Sequence, residues 1–201
     1  MTGLPQAVAD APGLALSRAS SSRVVLQGAS VVLHYEPVQA ELDRRRRCGL
    51  GAITSPDALR VLSDLPVNAP MPPSVIDRAA LDLLPSGAIQ VDRGRVTRLA
   101  VAPIEARLAV VPARSWRAGL ERAGRFAPFC SRAMLLPKPP RDLDVVRMEA
   151  DFYGIGVIVD AEGESCVLVP PAPFERRRRT AAGWLFLEQA YRQITPSPAE
   201  S

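Results

Sequence analysis

From Ile104 to Val169 the chain alternates short apolar runs with amphipathic segments, and that alternation most narrows the folds open to it. Ile104 to Val111 reads as an apolar strand carrying Glu105 and Arg107. In Ser115 to Phe129, Trp116, Leu120, Ala123 and Phe126 recur at three- and four-residue spacing, the period of one helix face. Ala133 to Leu136 is a second short strand, Asp142 to Tyr153 a second helix stopped by Gly154, and Ile155 to Val159 a third strand. Asp160-Ala161-Glu162-Gly163 turns the chain into a further strand, Ser165 to Val169. Strand, helix, strand, helix, strand requires crossover connections, so the expectation is an α/β layer with parallel strand pairs. A last amphipathic helix is predicted from Ala181 to about Ile194.

The first half is less regular. Residues 1–22 are rich in Ala, Ser, Gly and Pro without periodicity and read as a flexible tail. Arg23 to Pro37 holds two β-branched runs around Gln27-Gly28-Ala29, a hairpin pattern. Gln39 to Arg47 reads as a helix ending in four arginines, with Gly49 as its stop. Ser55 followed by Pro56 starts another helix, which sets Leu59, Leu62 and Leu65 on one face. Val67 to Pro73 contains three prolines and is expected to be a loop. A helix from near Ser74, with Val75, Ala79 and Leu83 on a stripe, ends at Pro85-Ser86-Gly87. Ala88 to Val91 and Val96 to Val101 read as strands joined by Asp92-Arg93-Gly94-Arg95. Two short helices and a basic hairpin follow the order of a winged helix-turn-helix; the other reading packs them on the main sheet.

The totals exclude several classes. Among 201 residues, 47 % are hydrophobic, enough for a real core. No apolar run reaches about 18 residues, so no membrane span is expected. The start lacks a basic region followed by a long apolar one, so a secretory signal is not expected either. Cys48, Cys130 and Cys166 are odd in number and widely spaced, which suggests neither a zinc site nor a disulfide framework and fits a reducing cytoplasm. Lys and Arg total 25, and Lys138 is the only lysine, the bias of a GC-rich coding sequence. A net charge of +4 permits contact with nucleic acid without requiring it.

The stretch from Ile104 through Trp116, Phe126 and Leu136 to Pro137, followed by Tyr153-Gly-Ile-Gly-Val-Ile-Val159, resembles the core of PD-(D/E)XK nuclease-like proteins, over about residues 88–170. In that family a strand bearing Glu-x-Lys leads into a helix, a short strand, a further helix and a Gly-Ile-Gly-type strand. The resemblance implies a restriction-endonuclease-like mixed sheet flanked by helices, preceded here by a small helical module in winged-helix order. It also implies two carboxylates that hold Mg²⁺ and a lysine that assists a water nucleophile. Glu105 stands where the strand carboxylate belongs, and Arg107 stands where lysine is expected. Arginine keeps the charge but is bulkier and does not lose a proton near neutral pH. The preceding strand, Val96 to Val101, has no acid; Asp92 in the hairpin turn is the nearest candidate, with Asp82 behind it.

Other chemistry-bearing residues carry weaker signals. His34 is the sole histidine, and no Ser or Cys motif marks a partner for it. Cys48 follows four arginines, which would favour a thiolate if it is exposed; Cys130 and Cys166 lie in apolar surroundings and read as core. Gly154-Ile155-Gly156 follows a helix rather than a strand, so tight packing accounts for it better than dinucleotide binding. The runs Arg44, Arg45, Arg46, Arg47 and Arg176, Arg177, Arg178, Arg179 are solvated faces or phosphate contacts, and Arg114, Arg117, Arg122 and Arg125 could extend such a surface.

The resulting expectation divides the chain into a tail at 1–22, a helical module at 23–87 with strands at its start, a degenerate nuclease-like domain at 88–195 and a tail at 196–201. The leading function is non-catalytic nucleic-acid binding or regulation, with duplex DNA as partner, no metal and no cofactor. The alternatives are a Mg²⁺-dependent endonuclease using Glu105 with Asp92 or Asp82, and an interaction protein whose arginines meet acidic protein surfaces.

Overall fold

The computed structural model describes residues 16–72, 74, 77–161, 164–176 and 178–195. After a 3-10 turn at Leu16–Arg18, the first elements are β1 (Ser20–Leu26), β2 (Ala29–Pro37), α1 (Gln39–Cys48), α2 (Pro56–Asp64), β3 (Pro70–Met71), α3 (Arg78–Leu81), β4 (Ile89–Asp92) and β5 (Arg95–Arg98). They are followed by β6 (Ile104–Pro112), α4 (Trp116–Gly124), β7 (Ser131–Leu136), α5 (Leu143–Phe152), β8 (Ile155–Ala161), β9 (Glu164–Val169) and α6 (Ala181–Ile194). The elements form two compact units, Met1–Glu36 with Ala106–Arg176, and Pro37–Glu105 with Arg177–Ser201. The boundaries expected after residues 22, 87 and 195 are contiguous cuts and do not coincide with this division. Each unit is assembled from two separate stretches, because β2 joins a sheet beside β6.

The first unit is an α/β layer built on a six-stranded mixed sheet in the order β1-β2-β6-β7-β8-β9, with helices against it. β6, β7 and β8 are parallel neighbours, while β1–β2 and β8–β9 are antiparallel hairpins. Right-handed crossovers that step twice in the same direction place α4 and α5 on one face of the sheet. Strands at the centre of such a layer are covered on both sides. That is why Leu108–Val111 and Ile155–Val159 are continuous buried runs rather than alternating ones. On the sheet, Leu16, Leu108, Val110, Ala133 and Ile158 form a buried cluster. Gly156 sits where a Cβ would come within 2.9 Å of Pro171 and 3.0 Å of the Ala133 Cβ, so close packing explains the Gly-Ile-Gly stretch.

The β1–β2 turn places Gln27 at φ 51° and Gly28 at φ 71°, and the β4–β5 turn repeats this with Arg93 at 47° and Gly94 at 71°. Two consecutive positive φ values are the type I′ geometry, whose twist matches that of the paired strands. Glycine takes the second place because it has no Cβ to clash there.

The second unit has a three-stranded sheet, β3-β5-β4, together with α1, α2, α3 and α6. Its core gathers Ile53, Leu59, Leu62, Ala88, Ala100 and Trp184. Ser55 accepts a hydrogen bond from the Ala58 amide and Thr180 one from the Gly183 amide, so both long helices of this core begin at capped ends.

Several expectations change. Ser20–Ser22 belong to β1 rather than to a tail, because they pair with Leu33 to Tyr35. The proline-rich stretch contains β3, which pairs with β5 at its edge, where a missing N–H is tolerated. The helix expected from Ser74 is cut to four residues, started by the Asp77 side chain on the Ala79 amide; Val75 and Ile76 lie outside the described residues. α4 ends at Gly124, five residues before Phe129, and the β5 strand ends at Arg98 rather than Val101. Cys166 is exposed on β9 rather than in the core. The tail segments 1–15 and 196–201 lie outside the described residues. Among the described residues, no helix is long and apolar enough to cross a membrane.

Candidate functional site

Glu105 and Arg107 stand on β6, as the strand pattern implies. β6 has β2 as its sheet neighbour, and Glu36 of β2 accepts a hydrogen bond from Arg107 Nη2 at 2.9 Å. The guanidinium expected in a lysine's role is therefore neutralised by a carboxylate that the sequence pattern did not single out. Asp92 is exposed in the three-stranded sheet, directly opposite Arg95, and Asp82 is the exposed C-cap residue just after α3. Among the described residues, no group of three His, Cys, Asp or Glu side chains is gathered for a metal ion.

The four-arginine run of α1 splits by helix geometry. Arg45 is 1 % exposed, so it is not available to a phosphate. Its Nε donates to Glu41 at 2.7 Å, and its two terminal nitrogens form a fork onto Glu188 at 2.9 and 2.6 Å. The remaining donors reach the carbonyls of Gly51 at 3.1 Å and Val101 at 2.9 Å. All five N–H groups are thus satisfied, the condition under which a buried charge is tolerated. Glu188 also accepts from the Ile53 amide and the Trp184 indole. Burial opposes the charge of Arg45, but the hydrogen bonds and charge of Glu188, then of Glu41, outweigh it. Burial alone would raise the Glu41 pKa; hydrogen bonds from Arg44 and Arg45 reverse this and hold it below the usual carboxylate range.

Arg44 is half-buried on Glu41 and the Gly87 carbonyl, Arg46 pairs with Asp43, and Arg46 and Arg47 are exposed. In the second run Arg176, Arg178 and Arg179 are exposed, and Arg177 lies outside the described residues. Arg98, which the sequence reading passed over, is buried. It donates to the Leu62 and Leu65 carbonyls at the end of α2 and lies 4.5 Å over the Trp184 ring. It caps a helix C-terminus, where a cation is favoured.

The arginines on and beside α4 divide differently. Arg125 pairs with Glu121 at 2.7 Å and also reaches the Gln27 carbonyl, while Arg117 stacks 4.2 Å over Trp116. Arg114 and Arg122 are exposed and have no ion pair among the described residues. Both line a half-open cleft of about 620 Å³ with Ala118, Leu136 and Asp160. β6, β7 and β8 are parallel, and Pro112, Leu136 and Asp160 come from their C-terminal ends. Open α/β sheets bind ligands at such ends. Ser115 accepts from the Ala118 amide and so closes the start of α4 beside the cleft. The sequence marks Asp160 as a turn residue, and its place at the end of a parallel strand is the feature that brings it to the cleft.

His34 is buried on β2, and desolvation lowers its pKa from 6.5 to about 4, so it is neutral near pH 7. The buried Cys130 thiol is pushed up to about 12, first by desolvation, which leaves it unreactive. Comparison with protein-family models, with curated proteins and with solved structures gives no match to this chain.

Proposed function

We propose that the chain is a non-catalytic nucleic-acid-binding or regulatory protein on a degenerate restriction-endonuclease-like sheet, with Arg114 and Arg122 contacting the phosphate backbone of duplex DNA. The observation that carries this reading is the pair itself. Two exposed guanidiniums, with no ion pair among the described residues, share one cleft at the ends of three parallel strands. A phosphate oxygen gains charge-assisted hydrogen bonds from such a pair, and no existing ion pair has to break. The wing-like order of α2, α3 and the β4–β5 hairpin is consistent with a nucleic-acid module. Four residues of α3 span only about 6 Å, however, too little to read a groove, so the contacts are assigned to Arg122 on α4 and to Arg114 just before it.

Each phosphate neutralised on a duplex releases counterions, which steepens the fall of affinity with salt by about 0.9 in a log–log plot. The proposal therefore expects duplex affinity to drop steeply between low and moderate salt. Arg114→Ala with Arg122→Ala should flatten the slope by about 2 without changing sequence preference. Absence of binding at low salt, or an unchanged slope in the double variant, overturns it.

A second reading, a protein-interaction module, is favoured by a stripe on α5. Val145, Met148 and Phe152 follow helical spacing, and Phe152 is 80 % exposed. Co-purification of one protein partner, lost on Phe152→Ser while the salt-dependent DNA binding is absent, would favour this reading over the first.

A further inference from the structure

The opposite face of α4 borders a second groove, which shares no lining residue with the arginine cleft. It lies between α4 and α5, holds about 460 Å³, and has an apolar wall of Trp116, Leu120 and Ile155. Four charged side chains line it as well; on α4, Glu121 pairs with Arg125 and Arg117 lies over the Trp116 ring. Arg132 enters from β7 and Glu149 from α5.

These two side chains do not pair with each other, nor does either have an ion pair among the described residues. Arg132 is aimed by one hydrogen bond, from Nη2 to the Tyr153 carbonyl. Its Nε lies buried without an acceptor among the described residues. Nη1 also makes no hydrogen bond among the described residues, so the guanidinium keeps a donor for a ligand in the groove.

We infer that this groove binds a free α-amino acid with a large apolar side chain, its carboxylate on Arg132, its ammonium on Glu149 and its side chain against Trp116 and Leu120. A simple apolar carboxylate would meet Arg132 but face the charge of Glu149. An apolar amine would meet Glu149 and leave Arg132 unsatisfied. Only a ligand carrying both charges answers both residues. The volume lies within the range of small-molecule sites, which run from about 300 to 1,000 Å³. The inference is independent of the DNA proposal, because the two sets of lining residues are disjoint.

Isothermal titration calorimetry of the full chain tests it, with L-leucine, L-phenylalanine, N-acetyl-L-leucine and L-leucinamide as probes. The two free amino acids should bind. The acetylated form lacks the ammonium and the amide lacks the carboxylate, and each should bind at least tenfold more weakly, about 1.4 kcal/mol. Glu149→Gln, a change on a helix surface, should weaken L-leucine to a similar degree and leave N-acetyl-L-leucine unaffected. Arg132→Met should abolish L-leucine binding, while Arg122→Ala in the other cleft should leave it intact. No heat with either amino acid up to about 10 mM overturns the inference. So does equal binding of all four probes, or wild-type affinity in Glu149→Gln. These comparisons hold even if Arg132→Met fails to fold, because the ligand series uses the unaltered chain.

Discussion

α1 in the second unit and α4 in the first are helices of 10 and 9 residues, and both carry several arginines. Arg45 on α1 is enclosed, with every donor used by Glu41, Glu188 and two carbonyls, and it ties together segments far apart in sequence. Arg122 on α4 stands exposed on a cleft, with no ion pair among the described residues. The lesson is that an arginine's role is fixed by what lies across from it. Enclosed and fully bonded, it organises a core; exposed and unpaired, it is available to a ligand. A run of four arginines therefore says little about binding until each position is placed.

The largest expected effect tests the enclosed member. Arg45→Met leaves Glu188 buried without its main cation and should cost about 3–5 kcal/mol in urea unfolding. A loss below about 1 kcal/mol would mean the network contributes little beyond its shape.

Acid should separate the units next. The folded pKa of His34, in the first unit, is depressed to about 4, while the unfolded chain takes up a proton near 6.5. The unfolded state binds more protons within that window, so stability is lost as pH falls from about 6.5 towards 4, by at most about 3 kcal/mol. Glu41, in the second unit, also has a depressed folded pKa. Its contribution is present above 4.5 and lost only as pH falls below that value. Stability measured across pH should show the earlier loss vanish in His34→Gln; a single loss confined to below 4.5 in the unaltered chain would contradict the assignment.

A smaller effect lies within α4. An alanine Cβ at Gly119 would stand 2.6 Å from the Met134 sulfur, 3.0 Å from its Cβ and 3.3 Å from the Ala113 Cβ. The sulfur can swing aside, but the Cβ contact moves only with the strand. Crowding should therefore exceed the helix-propensity gain of about 1 kcal/mol and leave Gly119→Ala destabilised by about 1–2 kcal/mol. Gly124 has open space around it, so Gly124→Ala should stabilise by up to about 1 kcal/mol. Thermal melts of the pair would expose a misplaced α4 if the signs came out reversed.

The smallest expected change completes the comparison. Arg114→Ala and Arg122→Ala should each leave stability within about 0.5 kcal/mol of the parent, because they remove solvated charges. A larger loss for either would make it a structural residue like Arg45 and withdraw it from the phosphate site.

Local order was largely legible in the chain. The hairpin at Gln27-Gly28, the cap at Ser55, and the Trp116, Leu120, Ala123, Phe126 face all depend on residues a few positions apart, and the structure has them. The parallel order of β6, β7 and β8 also follows from the alternation of strands and helices, because crossovers have one preferred hand. Pairings between distant segments were not legible. Arg45 meets Glu188 across 143 positions, and Arg107 meets Glu36 across 71. Arg132 and Glu149 line one groove because β7 and α5 pack within the same layer. The sequence determined most of the helices, the hairpins and the α/β order, since propensity, capping and turn geometry act over a turn or two of chain. Only the tertiary structure decided which arginines are enclosed and which face a cleft, because burial and charge pairing depend on neighbours that folding brings from elsewhere.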